Sequence, residues 1–210
     1  MDASMTRPET AMKLYVSPTS PYGRICLARA LLLGRNDLSL QMVDPWQNPP
    51  ELEAINPLSQ IPVLVLDDEK TAVPGTLPIC LYLGGTMPPA AELSAVSQTH
   101  ALLEMLIQIV KLVRFKAPDT ADHPLVERCV TALKRALARV PAFDGNSQAW
   151  PDVMLAVVLL TVKLRRPEEF EAAARPDTKA AVEAFAATSL AKKTAPEALA
   201  ATKATTIGEL

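Results

Sequence analysis

Glycine is scarce, with seven in 210 residues, so few positions are free to take left-handed backbone. Chain reversal falls instead to nineteen prolines, whose fixed φ sets sharp boundaries between elements. Cysteine is also sparse: Cys26, Cys80 and Cys129 are odd in number and contain no C-x-x-C pair. That excludes a disulfide framework and a zinc cage and fits a reducing cytoplasm. Neither charge dominates, since 21 Lys and Arg stand against 23 Asp and Glu. No overall positive field is available to collect nucleic acid or an anionic membrane surface, and neither is expected as a partner. Long apolar runs are missing too. The longest, Val153 to Val162, is about half the ~20 residues that cross a bilayer and predicts a buried helix. The opening MDASMTRPETA lacks the apolar stretch of a secretory signal, and residues 1–11 are expected to form a flexible tail. What the chain does have is 49% hydrophobic residues, enough for a sizeable core in one large domain or two small ones.

From Lys13 the pattern alternates short apolar runs with helical ones. KLYV (13–16), LSLQMV (38–43), IPVLVL (61–66) and residues 71–73 predict strands, and YGRICLARALLL (22–33) and LPICLYL (77–83) predict helices. The order is βαβ–ββα with the first two strands parallel, and residues 44–60 read as a polar connection. After Gly84-Gly85-Thr86-Met87-Pro88-Pro89 no strand pattern remains. Residues 94–116 carry Leu102, Leu103, Leu106, Ile109, Val110 and Val113 at helical spacing, and 125–140 repeat the pattern. Residues 152–164 are apolar on nearly all sides and predict a central bundle helix, and 177–190 close the set. Fourteen alanines in residues 171–206 favour helix but offer little bulk, and the last ten residues are expected to fray. The domain organisation expected is therefore a tail 1–11, an α/β domain 12–84, a linker 85–93 and an all-helical domain 94–210.

This order, with KLYVSPTSPYGR (13–24), NPLSQIPVL (56–64) and ICLYL (79–83), resembles the cytosolic glutathione S-transferases, in particular their short bacterial, serine-type members. The resemblance spans Met12 to about Pro196. It implies a thioredoxin-like α/β domain followed by an all-α bundle, a cytoplasmic homodimer, glutathione as cosubstrate without a metal, and a small apolar electrophile walled by helix 94–116. The reaction implied is attack of the glutathione thiolate on an electrophilic carbon or a peroxide. A thiol of pKa about 8.5 needs a hydrogen-bond donor and a helix N-terminus to ionise near neutrality. Ser20 is placed by the resemblance as that catalytic donor. Preceding Pro21, it also reads as an ordinary helix N-cap, and Ser17 and Thr19 compete for the role.

The resemblance further assigns Ile61-Pro62 as a cis dipeptide whose Ile61 backbone holds the cysteinyl part of glutathione. The other reading of Pro62 is a strand terminator. Gln60 falls where the family reaches the glycyl carboxylate, and its other reading is a solvated loop residue. Gly75 and Thr76 occupy the γ-glutamyl subsite, but the family has an acidic residue where this chain has Gly75. Thr76 still offers a hydroxyl to the γ-glutamyl carboxylate. The missing charged hydrogen bond, about 1.5–3 kcal/mol, corresponds to roughly 10- to 150-fold in affinity. The alternative function is therefore a non-catalytic binding or interaction protein with a degenerate glutathione site. A disulfide reductase reading would need a cysteine at Ser20.

The remaining candidates have structural readings. Asp152 matches the family's helix-capping aspartate, with Ala149 where its Ser or Thr partner would stand. His100 and His123 have no acidic or thiol partner nearby in sequence and read as neither metal ligands nor triad members. The three cysteines read as small core hydrophobes. Trp46 and Trp150 read as packing residues, with a ligand cleft or an interface as the other reading.

Overall fold

The computed structural model describes residues 12–210; the expected tail, residues 1–11, lies outside the described residues. The described residues divide into two compact units, residues 12–86 together with 193–210, and residues 87–192.

The first unit is built on strands β1 (Lys13–Val16), β2 (Ser39–Met42), β3 (Val63–Val65) and β4 (Ala72–Pro74). Their order in the sheet is β2-β1-β3-β4. β1 pairs parallel with β2, and β3 is antiparallel to both β1 and β4. The parallel pair requires a crossover, which helix α1 (Pro21–Leu32) supplies. Alternation along β1 points Leu14 and Val16 into the core, both fully buried, with Tyr15 on the other face. Ile25, Leu27 and Ala28 of α1 are buried as well. Helix α2 (Pro50–Ile55) lies within the stretch read as polar connection. Its six residues bury only Leu52, too few to show a helical period. Helix α3 (Thr76–Gly84) follows β4 and packs on α1. The result is the thioredoxin-like α/β architecture expected.

The second unit is helical: α4 (Ala90–Arg114), α5 (Pro124–Leu137), α6 (Trp150–Arg165), α7 (Pro167–Ala173) and α8 (Pro176–Ala187), then α9 (Ser189–Lys193), which runs to its boundary. The apolar run of α6 is buried from Val153 to Leu159, as its all-round pattern predicts. Its N-cap is Ala149, which offers no side-chain bond. Among the described residues α4 is the one helix whose length and hydropathy match a membrane span. It buries Val96, Thr99, Leu103, Leu106 and Ile109 and packs against α5 and α6. The sequence reading has one helix after α6 in this stretch. The structure adds α7 before the predicted span 177–190 and divides that span at Thr188 into α8 and α9; Pro167 and Pro176 stand at the first positions of α7 and α8.

The C-terminal segment departs most from expectation. It does not fray. Helix α10 (Pro196–Ala201) and a 3-10 turn, Ile207–Glu209, return to the first unit. Leu40 N donates to Thr205 O at 2.7 Å, Ile207 N donates to Leu38 O at 2.9 Å, and Ser39 bridges Thr206. The edge of β2 is thereby covered, as exposed strand edges commonly are. Ile207 is fully buried. Ile207→Ala is expected to cost about 2–4 kcal/mol in urea unfolding; a cost below about 1 kcal/mol would mean that the segment is not part of the cooperative core.

Candidate functional site

Three loops of the first unit carry the residues singled out above. The first joins β1 to α1. Ser20 is the N-cap of α1, in extended conformation, and its Oγ accepts a hydrogen bond from Gly23 N at 3.3 Å. Accepting through oxygen leaves the hydroxyl proton free to donate. The cap and a donor to sulfur are therefore compatible at one side chain. Ser17 is buried and Thr19 exposed.

The second loop precedes β3. The Ile61–Pro62 peptide is cis, with Pro62 buried. Tyr15 is registered with Val63, and continuing that antiparallel ladder brings Ile61 beside the turn beginning at Ser17. The backbone N–H and C=O of Ile61 make no hydrogen bond among the described residues. Asn56 shapes this loop: its Nδ2 donates to Gln60 O at 2.8 Å, and its Oδ1 accepts from Leu58 N at 3.3 Å. Gln60 is exposed.

The third loop joins β4 to α3. Gly75 N donates to Pro62 O at 3.0 Å, tying this loop to the cis-proline loop. Gly75 has φ +96° and is the N-cap of α3, so no side chain caps that helix. A side chain at Gly75 would be strained at this φ. Thr76, the first residue of α3, is 2% exposed, and its Oγ1 has no hydrogen-bond partner. A buried hydroxyl without a partner costs about 1–3 kcal/mol. An anion seated there would relieve that cost and meet the positive end of the helix dipole.

The backbone of Thr76 also links to α1, since Cys26 Sγ donates to Thr76 O at 3.8 Å. Cys26 and Cys80 lie buried side by side, Sγ to Sγ 3.9 Å. Burial first, and then the neighbouring Cys80, push the Cys26 thiol well above its ordinary range. Cys26 is thus a core thiol, not a nucleophile. Arg24, one turn along α1 from Ser20, is 4% exposed. Its Nε donates to Thr194 O at 2.7 Å. Burial lowers the guanidinium below its usual value, while Glu197 opposes that shift.

The β1–β3 ladder and the Gly75–Pro62 bond thus bring together the segments holding Ser20, Ile61, Pro62, Gly75 and Thr76. Gln60 borders them with its side chain outward. The sequence reading passed over Asn56, Ser59 and Arg24. Asn-Pro-Leu-Ser is an Asx-turn signature that could have marked Asn56. Ser59 has φ +47° and a buried Oγ without a partner, which no residue pattern announces. Arg24 looks like any solvated cation in sequence.

Trp46 is 58% exposed rather than packed, whereas Trp150 is buried. His100 does have an acidic neighbour, with Nε2 3.9 Å from Glu104. His123 caps α5 by accepting from Leu125 N at 3.1 Å. A cleft of about 550 Å³ between α4 and α5, lined by Met105, Cys129, Ala132 and Arg135 among others, contains none of the candidate residues.

Residues 19–86 match the family described as the glutathione S-transferase N-terminal domain. No curated protein matches the chain in sequence. Among solved structures, a glutathione transferase family member from Pseudomonas fluorescens Pf-5 with bound glutathione is similar at 20% identity. The alignment covers 89% of this chain and 99% of that one, with a TM-score of 0.78. A glutathione S-transferase from Methylobacillus flagellatus KT with glutathione bound is 23% identical, covering 89% and 100%, at TM-score 0.67. One from Methylobacterium radiotolerans JCM 2831, in complex with glutathione sulfonate, is 19% identical, covering 89% and 95%, at TM-score 0.73. At these identities the shared property is the fold.

Proposed function

We propose that this chain, whose residues 19–86 match the glutathione S-transferase N-terminal domain and whose fold is shared with solved members of that family, binds glutathione and delivers its thiolate to a small apolar electrophile. The observation that carries the reading is Thr76. Its buried hydroxyl lacks a partner at the uncapped start of α3, the arrangement an amino-acid carboxylate satisfies. In this reading Thr76 and the α3 N–H groups hold the γ-glutamyl carboxylate. The free backbone groups of Ile61 beside cis-Pro62 pair with the cysteinyl peptide, and Gln60 reaches the glycyl end. Ser20 donates to the sulfur. The protein works in the cytoplasm. It does so as a homodimer, which is supported by apolar residues of α4 that its own unit does not bury fully, such as Leu102, Met105 and Val113.

Calorimetric titration with reduced glutathione tests this reading through Thr76→Val. The near-isosteric change removes the unpartnered hydroxyl, so it is expected to raise the melting temperature slightly while weakening glutathione about tenfold or more. Unchanged affinity in the variant would remove Thr76 from the site.

A second reading, a binding protein whose glutathione site has decayed, is favoured by Gly75, which places no carboxylate before Thr76. Absence of binding by the wild type, together with binding by Gly75→Glu despite its strained backbone, would establish that alternative.

A further inference from the structure

The C-terminal segment does more than cover the β2 edge: it buries Arg24. The carbonyl that accepts from Arg24 Nε belongs to Thr194, itself fully buried, and Glu197 lies near enough on α10 to attract the guanidinium. A buried cation facing a neutral acceptor is costly to keep, and an apolar side chain would fill the same space at lower cost. Its position in α1 gives the charge a use. Arg24 N donates to Ser20 O at 3.0 Å, so Arg24 lies one turn from the cap. Residues four apart share a helix face, and helical side chains lean toward the N-terminus. Spacing thus sets Arg24 on the face of α1 that carries the Ser20 cap, with its guanidinium turned to Thr194 and, at low exposure, little screened by salt.

We propose that Arg24, held in place by the C-terminal segment, is a positioning residue whose fixed charge stabilises an anionic sulfur at the Ser20 cap. The proposal rests on the reading of Ser20 as the hydrogen-bond donor to glutathione. Arg24 does not touch the ligand; it acts through the field along α1. Glu197 damps that field. The other ionisable groups on elements packed against α1 are Lys13 and Tyr15 on β1, Cys80 and Tyr82 on α3, and Glu209 on the last 3-10 turn. The Glu209 carboxylate is occupied by Thr205 and Thr206 N–H groups. Tyr22, Cys26 and Arg29 lie on α1 itself.

The test follows the ultraviolet absorbance of the thiolate of saturating glutathione against pH in wild type, Arg24→Met, Arg24→Lys and Glu197→Gln. Arg24→Met is expected to raise the bound thiol's pKa by about 0.5–1, and Arg24→Lys to retain most of the wild-type value. Glu197→Gln is expected to lower it by a few tenths. A merely structural role would shift Arg24→Met and Glu197→Gln the same way, or not at all, and either result overturns the proposal. If Arg24→Met does not fold, the exposed Glu197→Gln still decides, since a rise or no change refutes the damping. Wild-type protein that binds no glutathione would sink the Ser20 reading and this proposal with it. Wild type that binds, with variants that leave the pKa unmoved, would sink this proposal alone.

Discussion

Ser20→Ala is expected to cut glutathione-dependent turnover of an activated aryl halide by about 100-fold below the free thiol pKa of about 8.5. The sign follows from what the hydroxyl does. A donor to sulfur favours the thiolate and lowers its pKa, so removing it raises the pKa and depletes the reactive form. Above the free thiol pKa, glutathione ionises without help, and the deficit is expected to shrink. The variant also loses a helix cap, at about 1 kcal/mol of stability, because Ser20 Oγ accepts from Gly23 N. Ser20→Asp separates the two roles. Aspartate caps α1 as well as serine does, but its carboxylate has no proton to give and repels a thiolate. It is expected to keep the stability and lose the activity. Turnover by Ser20→Ala within threefold of wild type across the pH range would remove Ser20 from the chemistry.

Gly145→Ala is expected to destabilise the helical unit by about 3–5 kcal/mol, or to prevent its folding. Gly145 is buried in the turn between α5 and α6. A Cβ built there would lie 2.0 Å from Ala181 O and 2.9 Å from Ala184 Cβ, both on α8. The first contact is with backbone, which cannot swing aside as a side chain can. The turn is also fixed on its own account, with Asn146 N donating to Asp144 Oδ1 at 2.9 Å and Ser147 N to Asp144 O at 3.1 Å. Adding Ala184→Gly to Gly145→Ala removes only the lesser clash and is expected to recover little. Urea unfolding followed by circular dichroism measures both variants. A loss under about 1 kcal/mol for Gly145→Ala would contradict the close approach of α8 to this turn.

Much of the fold is legible in the sequence where packing writes a period. β1 shows a period of two in Leu14 and Val16, while α1 and α6 show near-continuous apolar runs because both helices are enclosed on most sides. Segments that bury little leave no such trace. Helix α2 commits only Leu52 to the core, so its prolines and glutamates read as a connection. The return of residues 193–210 rests in part on backbone hydrogen bonds to residues 36–40, which any residue can make, and on the bond from Arg24 to Thr194 O. Leu199 and Ile207, the segment's buried large apolar residues, stand eight apart and form no period that announces the docking.

The candidate site divides along the same line. Ser20 before Pro21 is a helix start readable from residue type. The burial of Thr76 is not, because it depends on α1 and α3 meeting through Cys26 and Cys80. The charge on Arg24 is visible in sequence, but its enclosure is not, since the groups that enclose it lie 170 or more residues away. Gly75 is the residue where local and functional demands part. Its φ of +96° suits glycine, and glycine there offers no carboxylate to an ammonium group.

The account stands or falls on whether the first unit binds glutathione and ionises it. The most direct measurement is the pH titration of the thiolate absorbance of glutathione in the presence of excess wild-type protein, against free glutathione in the same buffers. The account predicts a midpoint at least about one pKa unit below that of the free thiol, as a hydroxyl donor and a helix N-terminus acting together provide. A midpoint equal to that of free glutathione, with binding demonstrated by calorimetry in the same samples, would contradict it.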